Sequence, residues 1–386
     1  MKKILFCATV DYHFKAFHLP YLKWFKEQGW EVHVAAAGEI ELPYVDQKFN
    51  ISIQRSPHNR KNVGAYKELK QIIENNQYQL IHCHTPMGGV LARLAARTAR
   101  KKGTKVIYTA HGFHFCKGAP LLNWLIYYPI EKMLAKNTDC LITINQEDYE
   151  LANKRLKADR IEHVHGVGVD IERFKPISII QKNNLRISYG FKLGDFLLFY
   201  AAEFNKNKNQ QLLIKALAQI KDEVPNAKLL LCGEGDLLEQ CRELAGTLEL
   251  KDRVHFLGFR TDLDQLIPMC DVAVASSLRE GLPVNIMESM ACGLPVVAVG
   301  NRGHSELINH RETGYLVLPE QVEKFGEYIL DIYMKKDLRK KMSLNSIDRM
   351  KLFTVYRVSL ELTSIYESYM VEDMDEAQNK HNRAYI

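Results

Sequence analysis

The chain has no long apolar run. A bilayer-crossing helix needs about eighteen consecutive apolar residues, and none of its 386 residues begin such a stretch. The opening MKKILFCATVDYHF has two lysines, a short apolar run before Asp11 and no small-residue cleavage site. It reads as a first strand rather than a signal peptide. The eight cysteines form no C-x-x-C pair, so they predict neither a disulfide framework nor a cysteine zinc site. Reduced, buried thiols in a cytoplasmic protein are the expectation. The first strand and turn, ILFCATVDYHFKAF, hold no G-x-G-x-x-G, which counts against an NAD or FAD enzyme. There is no repeat of about 20–50 residues and no low-complexity tract. Basic residues do not cluster with aromatic platforms, which argues against a nucleic-acid partner.

What is present is the composition of a soluble globular protein: 46% hydrophobic, 25% charged and 10% aromatic residues. The length suits two domains. Charge is uneven along the chain. Residues 1–176 carry 26 Lys and Arg against 17 Asp and Glu, and the remainder carries 26 against 29. A basic N-terminal half suits a membrane phosphate surface, and equally a plain solvated face.

Short β-rich apolar runs alternate with amphipathic helical segments. In the first half the strand segments are Ile4–Ala8, Val32–Ala36, Leu80–His84, Val106–His111, Cys140–Asn145 and Ile161–His165. Helices are expected near Ala16–Gln28, Ala65–Asn75 and Val90–Lys102. The loop GVGVDIERFKP looks like a joint, after which the rhythm restarts at Phe196–Ala202 and continues to Gly314–Leu318. The sequence therefore predicts an α/β protein of two Rossmann-like, doubly wound domains, at 1–175 and 176–350. A C-terminal helix at 351–370 is expected to pack back on the first domain, followed by a disordered tail at 371–386.

The densest chemical signal is SSLREGLPVNIMESMACG, residues 276–293. A helix starting near Pro283 presents its N–H groups and positive dipole end to the strand edge, where a phosphate binds well. Glu280 precedes that helix and Glu288 lies about one turn inside it. Two carboxylates flanking a helix N-terminus can hold the hydroxyls of two sugars with a diphosphate between them. Taken singly, each glutamate is explained as an ordinary acidic helix start.

The pattern E-G-L-P-x-x-x-x-E followed by A-C-G-L-P-V-V-A resembles the signature of the retaining glycosyltransferase family four (group 1), and the likeness runs along essentially the whole chain. The resemblance implies the GT-B fold, in which the two domains face each other across a cleft, and a UDP-sugar donor held by the C-terminal domain without metal or other cofactor. It implies that Glu280 contacts the donor sugar, with Gly281 beside it, and that Glu288 contacts the ribose. Lys208 in YAAEFNKNKN takes the place of a lysine on the donor diphosphate. Gly233 and Gly235 in LCGEGDLL border the nucleotide, and Arg302 and Glu306 match a loop near the second glutamate. Glu203 stands where many relatives carry a diphosphate-binding arginine. His111, in TAHGF, matches a histidine near the reacting carbon, and Glu280 and His111 are the catalytic candidates.

On the acceptor side, the candidates are His84 at a strand end and His13 in the Asp11–His18 turn. His82 and His84 share a strand face, but no third and fourth ligand follows at zinc spacing, so no metal site is expected. The apolar segment PLLNWLIYYPIEKML, residues 120–134, reads either as a membrane-surface helix or as a core helix kinked at Pro129.

Within the family the chain is similar to transferases of bacterial exopolysaccharide and biofilm-matrix synthesis. That implies a saccharide acceptor linked to a polyprenyl diphosphate, and peripheral contact with the inner face of the membrane through the N-terminal domain. Two other readings stand beside it: a non-hydrolysing UDP-sugar epimerase, which would need acid and base groups absent from this loop, and a catalytically silent scaffold of a polysaccharide assembly, favoured only by Glu203.

Overall fold

The structure is a computed structural model that describes residues 1–383, with side chains described through Met370. Contacts divide it into two compact units, Met1–Val167 with Val358–Ile386, and Gly168–Arg357. The divisions between these units fall at 167/168 and 357/358, where the sequence expectation placed domain boundaries at 175/176 and 350/351. The expected tail, 371–386, falls where side chains are not described and, at 384–386, outside the described residues.

The first unit holds β1 (Lys3–Val10), β2 (Glu31–Ala37), β3 (Gln47–Asn50), β4 (Leu80–His84), β5 (Lys105–Ala110), β6 (Cys140–Thr143) and β7 (Arg160–His163). Their order in the sheet is β3-β2-β1-β4-β5-β6-β7, and every pairing is parallel. A parallel strand covered by helices on both faces must be apolar on both, and β1 shows this directly. Leu5 and Cys7 point into one buried cluster and Ile4, Phe6 and Ala8 into the other. All eight cysteines are free and buried.

The second cluster is completed from far along the chain. The helix Val355–Arg383 delivers Val358, Leu362, Ile365 and Tyr366 to it. Tyr366 OH lies 2.7 Å from His82 Nδ1, and His82 Nε2 lies 2.8 Å from Thr109 Oγ1. Both ring nitrogens of this buried histidine are thus satisfied, and burial pushes its pKa down to about 3.

The second unit repeats the plan with β8 (Phe196–Ala201), β9 (Ala227–Cys232), β10 (Val254–Gly258), β11 (Val272–Ala275), β12 (Val296–Val299) and β13 (Gly314–Val317), in the order β10-β9-β8-β11-β12-β13. In both sheets the first strand sits centrally and the direction of winding reverses between it and the fourth. Ligands bind at such reversals because the loops that leave the two strands diverge there.

Two helices differ from expectation. The helix near 16–28 is two helices, Tyr12–Phe17 and Leu19–Glu27, with His18 at the joint ahead of Pro20. The segment 90–102 likewise divides into Pro86–Ala95 and Arg97–Arg100. The segment 120–134 is a helix, Leu121–Ala135, with Pro129 inside it. Its Glu131 pairs with Arg93, which is fully buried and stacks 3.8 Å over the Tyr108 ring.

Breaking a buried pair costs far more than replacing it, because one charge is left unpaired. Arg93→Met should lower unfolding stability by about 3–5 kcal/mol. The double change Arg93→Met with Glu131→Met should recover most of that loss. Urea denaturation of the three proteins checks it, and an equal loss in single and double variants would contradict the pairing argument.

Candidate functional site

In the second unit the site is built at the reversal between β8 and β11. The loop after β8, 202–209, carries Lys208, and the loop after β11, 276–283, carries Glu280. Lys208 Nζ donates to Glu280 Oε1 at 2.5 Å, with both side chains mostly buried. The two loops are also stitched through backbone: Leu278 N donates to Asn207 O at 2.8 Å, Asn207 Nδ2 to Arg279 O at 2.9 Å, and Ser276 Oγ to Lys208 O at 2.7 Å. Asn205 Oδ1 accepts from the Asn207 and Lys208 N–H groups, a local turn that fixes where the lysine emerges. These hydrogen bonds hold the two loops together.

The helix after Glu280 begins at Val284, one residue later than expected, with Pro283 as its N-cap in an extended conformation. Asn285 Nδ2 donates to Ala201 O at 2.8 Å and ties this helix start to the end of β8. Arg302 joins the group: its Nε donates to the Glu280 carbonyl at 3.0 Å. Gly303, next to it, has no room for a side chain, since a Cβ there would lie 2.8 Å from Glu280 Cβ and 3.0 Å from Gly281 O. Lys208, Glu280, Gly281 and Arg302 are therefore brought together. Glu306 lies one turn along the helix Arg302–Leu307, where its carbonyl accepts from Arg349.

Gly233 and Gly235 lie in the turn after β9, with φ of 134° and 145°, angles that side chains rarely tolerate. A Cβ on Gly233 would meet Ala202 O at 2.1 Å, and one on Gly235 would meet Phe204 O at 2.5 Å. Both glycines line a cavity of about 580 Å³ together with Glu203, Phe259, Arg260 and Leu263. The Glu203 carboxylate accepts from Asn205 Nδ2 at 3.1 Å, so a neighbouring amide engages it.

Glu288 sits apart from the Lys208–Glu280 pair. Burial raises its pKa to about 7; Arg173 opposes the shift and Asp264 adds to it. Arg173 donates to Asp264 Oδ1 at 3.0 Å and to Thr261 O at 3.1 Å. Arg173, Phe259 and Arg260 did not emerge from the sequence, where each is a single residue in a loop without a pattern. Asp264 follows Leu263 of the cavity wall, so position in the folded chain, rather than any motif, marks this group.

In the first unit, the reversal between β1 and β4 gathers histidines. His13 and His18 come from the turn after β1, His84 ends β4 and His111 follows β5. His13 Nε2 and His18 Nε2 are 3.0 Å apart, and His111 Nε2 and His84 Nδ1 are 3.4 Å apart. Burial lowers the pKa of each, to about 2 for His13 and about 4 for His111. Thr85, directly after His84, is held at φ 62° while its Oγ1 accepts from Thr9 N at 3.0 Å. A non-glycine residue in that region is strained and is held by its surroundings. The sequence expectation paired His84 with His82 and found no further ligands. The structure corrects this: His82 is consumed by Tyr366 and Thr109, and the partners of His84 are His13, His18 and His111.

His13 and His111 also line a cavity of about 1080 Å³, with apolar walls from Val90, Leu91, Leu94, Phe113 and Ile126, and with Arg55 and Arg60 as its cations. Ile126 belongs to the helix Leu121–Ala135, whose Leu121, Leu122 and Leu125 are exposed. The helix thus has an exposed apolar side, while its Glu131, Leu134 and Ala135 are buried. Among the described residues no helix is long and apolar enough to cross a membrane.

The raised pKa of Glu288 has a consequence for stability. Between pH 4.5 and 7 the folded state holds a proton on Glu288 that the unfolded state has released, so unfolding stability falls as pH rises through that window. Glu288→Gln removes the penalty. The ligand-free variant should be more stable than the parent at pH 8, with the advantage vanishing below about pH 4.5. Thermal melts across pH check this, and a variant less stable at pH 8 would contradict it.

Comparison with known proteins converges on one family. Residues 181–349 match the family described as Glycosyl transferases group 1, and residues 3–145 match Glycosyl transferase 4-like. The chain is 52% identical to a Bacillus subtilis (strain 168) protein named glycosyltransferase EpsD, over 97% of this chain and 98% of that one. It is 29% identical to the UDP-Gal:alpha-D-GlcNAc-diphosphoundecaprenol alpha-1,3-galactosyltransferase of Escherichia coli, over 69% of this chain and 70% of that one. Among solved structures, Anabaena HepE in complex with UDP-glucose matches with a TM-score of 0.79 at 21% identity, covering 95% of this chain and all of that one. The sucrose-phosphate synthase of Thermosynechococcus elongatus matches with a TM-score of 0.80 at 20% identity, covering 96% of this chain and all of that one. The two parallel sheets are those of the GT-B fold, and the chain belongs to the group 1 glycosyltransferases.

Proposed function

We propose that this glycosyltransferase moves a sugar, with retention of configuration, from a UDP-sugar held by the second unit to a lipid-diphosphate-linked saccharide held by the first, in bacterial exopolysaccharide synthesis. The observation that carries the donor half is the Lys208–Glu280 pair at the β8/β11 reversal. An ammonium has three N–H donors, and Glu280 engages Lys208 at one of them. The others are suited to diphosphate oxygens, where a cation stabilises the charge that develops on the departing nucleotide. Lys208, Arg302 and the N-terminal amides of the helix Val284–Ala291 supply the positive end, so the reading assigns no metal to the diphosphate. Glu280 takes the sugar hydroxyls, and Glu288 in its ionised form takes those of the ribose. The cavity beside Gly233 and Gly235 takes the base, with exposed Phe259 at its edge.

In the reaction the bond from the anomeric carbon to the diphosphate oxygen breaks as the acceptor oxygen bonds to the same face through an oxocarbenium-like state. The acceptor proton passes to the departing diphosphate. No separate carboxylate base is needed, unlike the two-carboxylate glycosidases. A neutral His111 presents a ring nitrogen to the sugar near that carbon. UDP as the nucleotide is supported by HepE, solved with UDP-glucose, and the acceptor class by the name of the Escherichia coli relative. The role in exopolysaccharide synthesis rests on the likeness to EpsD.

The acceptor half is also supported by the apolar cavity of about 1080 Å³ with Arg55 and Arg60 in its wall. Such a cavity fits a lipid chain together with its diphosphate, since guanidinium groups bind phosphate oxygens in pairs. The exposed leucines of the helix Leu121–Ala135 suit the membrane surface from which such a lipid is drawn.

Lys208→Ala should weaken UDP binding by about 1.5–3 kcal/mol, the range for a lost charge-assisted hydrogen bond. Glu280→Gln should abolish transfer while leaving the melting temperature of the ligand-free protein near that of the parent. Isothermal titration with UDP in EDTA and a radiolabelled transfer assay check the two. Unchanged UDP affinity would move the diphosphate elsewhere, and normal turnover by Glu280→Gln would remove its role.

For the acceptor, transfer to a polyprenyl-diphosphate saccharide should exceed transfer to the same saccharide without its lipid. The paired change Arg55→Ala with Arg60→Ala should raise KM for the lipid form and leave UDP binding intact. Equal use of both acceptors would sink the lipid-linked reading.

A further inference from the structure

The histidines at the β1/β4 reversal do more than stack. One ring nitrogen from each of His13, His18, His84 and His111 lies within 4.8 Å of the other three. A tetrahedral ion about 2.0–2.1 Å from each of four nitrogens would hold those nitrogens about 3.3–3.4 Å apart. Two separations already stand at 3.0 and 3.4 Å. Two more nitrogens, His18 Nδ1 and His84 Nε2, are buried and have no hydrogen-bond partner. An orphaned polar atom in the interior is costly, and coordination through either of these nitrogens, in place of the other nitrogen of its ring, would remove that cost. A void of about 10 Å³, near the size of one water, lies against His18, His84 and His111.

We propose that His13, His18, His84 and His111 form a binding site for one divalent transition-metal ion of the zinc class. The chemistry of the donor set selects the ion. Four imidazoles and no carboxylate suit zinc, cobalt, nickel or copper, whereas calcium and magnesium require oxygen ligands. A neutral imidazole has one unprotonated ring nitrogen, and its lone pair is what coordinates an ion.

The surroundings hold the ligands in place from outside. His82 lies against His84 at 4.0 Å between ring centres, with the rings tilted by 43°, and is itself pinned by Tyr366 and Thr109. Thr85 and Thr9 fix the backbone at the end of β4. Four protein ligands close a tetrahedral shell, so the ion is structural, clamping the loops that follow β1 and β5 to the end of β4. Ligation of His111 through Nε2 leaves its Nδ1 nitrogen, with its proton, as a donor of fixed tautomer. The site lies wholly in the first unit and stands whether or not the acceptor reading above holds.

The experiment uses the full chain, with any affinity tag removed, stripped with a chelator and titrated with Co²⁺. The expected result is one equivalent bound, with the intense visible d–d bands of a tetrahedral nitrogen site, displaced by Zn²⁺. His84→Gln and His13→Gln should each weaken binding by at least about tenfold, a loss seen even when outer-shell partners of metal sites are changed. His310→Gln, in the other unit, should not. His13 is half-buried, so its variant keeps the test valid if His84→Gln fails to fold, as circular dichroism would show. Absence of cobalt bands in the parent, the result expected if the void holds only water, overturns the proposal. Undiminished binding by a folded His13→Gln overturns it too.

Discussion

A parallel sheet sends every strand out at the same edge, and a right-handed crossover returns the chain to the opposite one. Winding that starts in the middle must reverse once, and at the reversal two loops leave neighbouring strands in opposite directions. Both units obey this constraint, and both place their chemical groups where it acts. In the second unit the reversal brings Lys208 against Glu280. In the first it brings the turn after β1 against the end of β4, and with it His13 and His18 against His84. One topological rule therefore yields two unlike sites: a charged one suited to a diphosphate and a neutral one made of imidazoles.

The division of labour follows from burial as much as from topology. Lys208 and Glu280 keep some access to solvent and remain paired as ions. The histidines lie deeper, where a charged ring would be unsupported, and they share the space as neutral aromatic rings. Glu288 stands between these cases. It is partly buried with no ion-pair partner among the described residues, and desolvation raises its pKa to about 7.

Much of the fold was legible because the strands are short apolar runs separated by helices, and β4 is read from sequence at the residues where it occurs. The edge strand β3 was not, because QKFN has no apolar alternation and pairs on one side only. The helix Ile179–Ser188 was also passed over, although Ser178 and Gln181 form a capping box at its start. The break at His18 was hidden by a helical pattern that continues across it. At the site, Glu280, Lys208 and the two glycines were found through a signature that fixes their spacing. The histidine cluster could not be found that way, since its members come from three distant segments. Only the pair two residues apart was visible, and in half of that pair, His82, both ring nitrogens are taken by Tyr366 and Thr109.

The bond between His82 and Tyr366 spans nearly the whole chain, and it sets an order of events at the ribosome. The first unit is synthesised first but cannot close its core, because Val358, Leu362, Ile365 and Tyr366 are still to be made. The second unit is contiguous from Gly168 to Arg357 and has all its residues sooner than its neighbour does. Domains usually fold in the order in which they emerge. Here the later-made domain can finish before the earlier one, which waits on its own C-terminus with β1, β4 and their histidines incompletely covered.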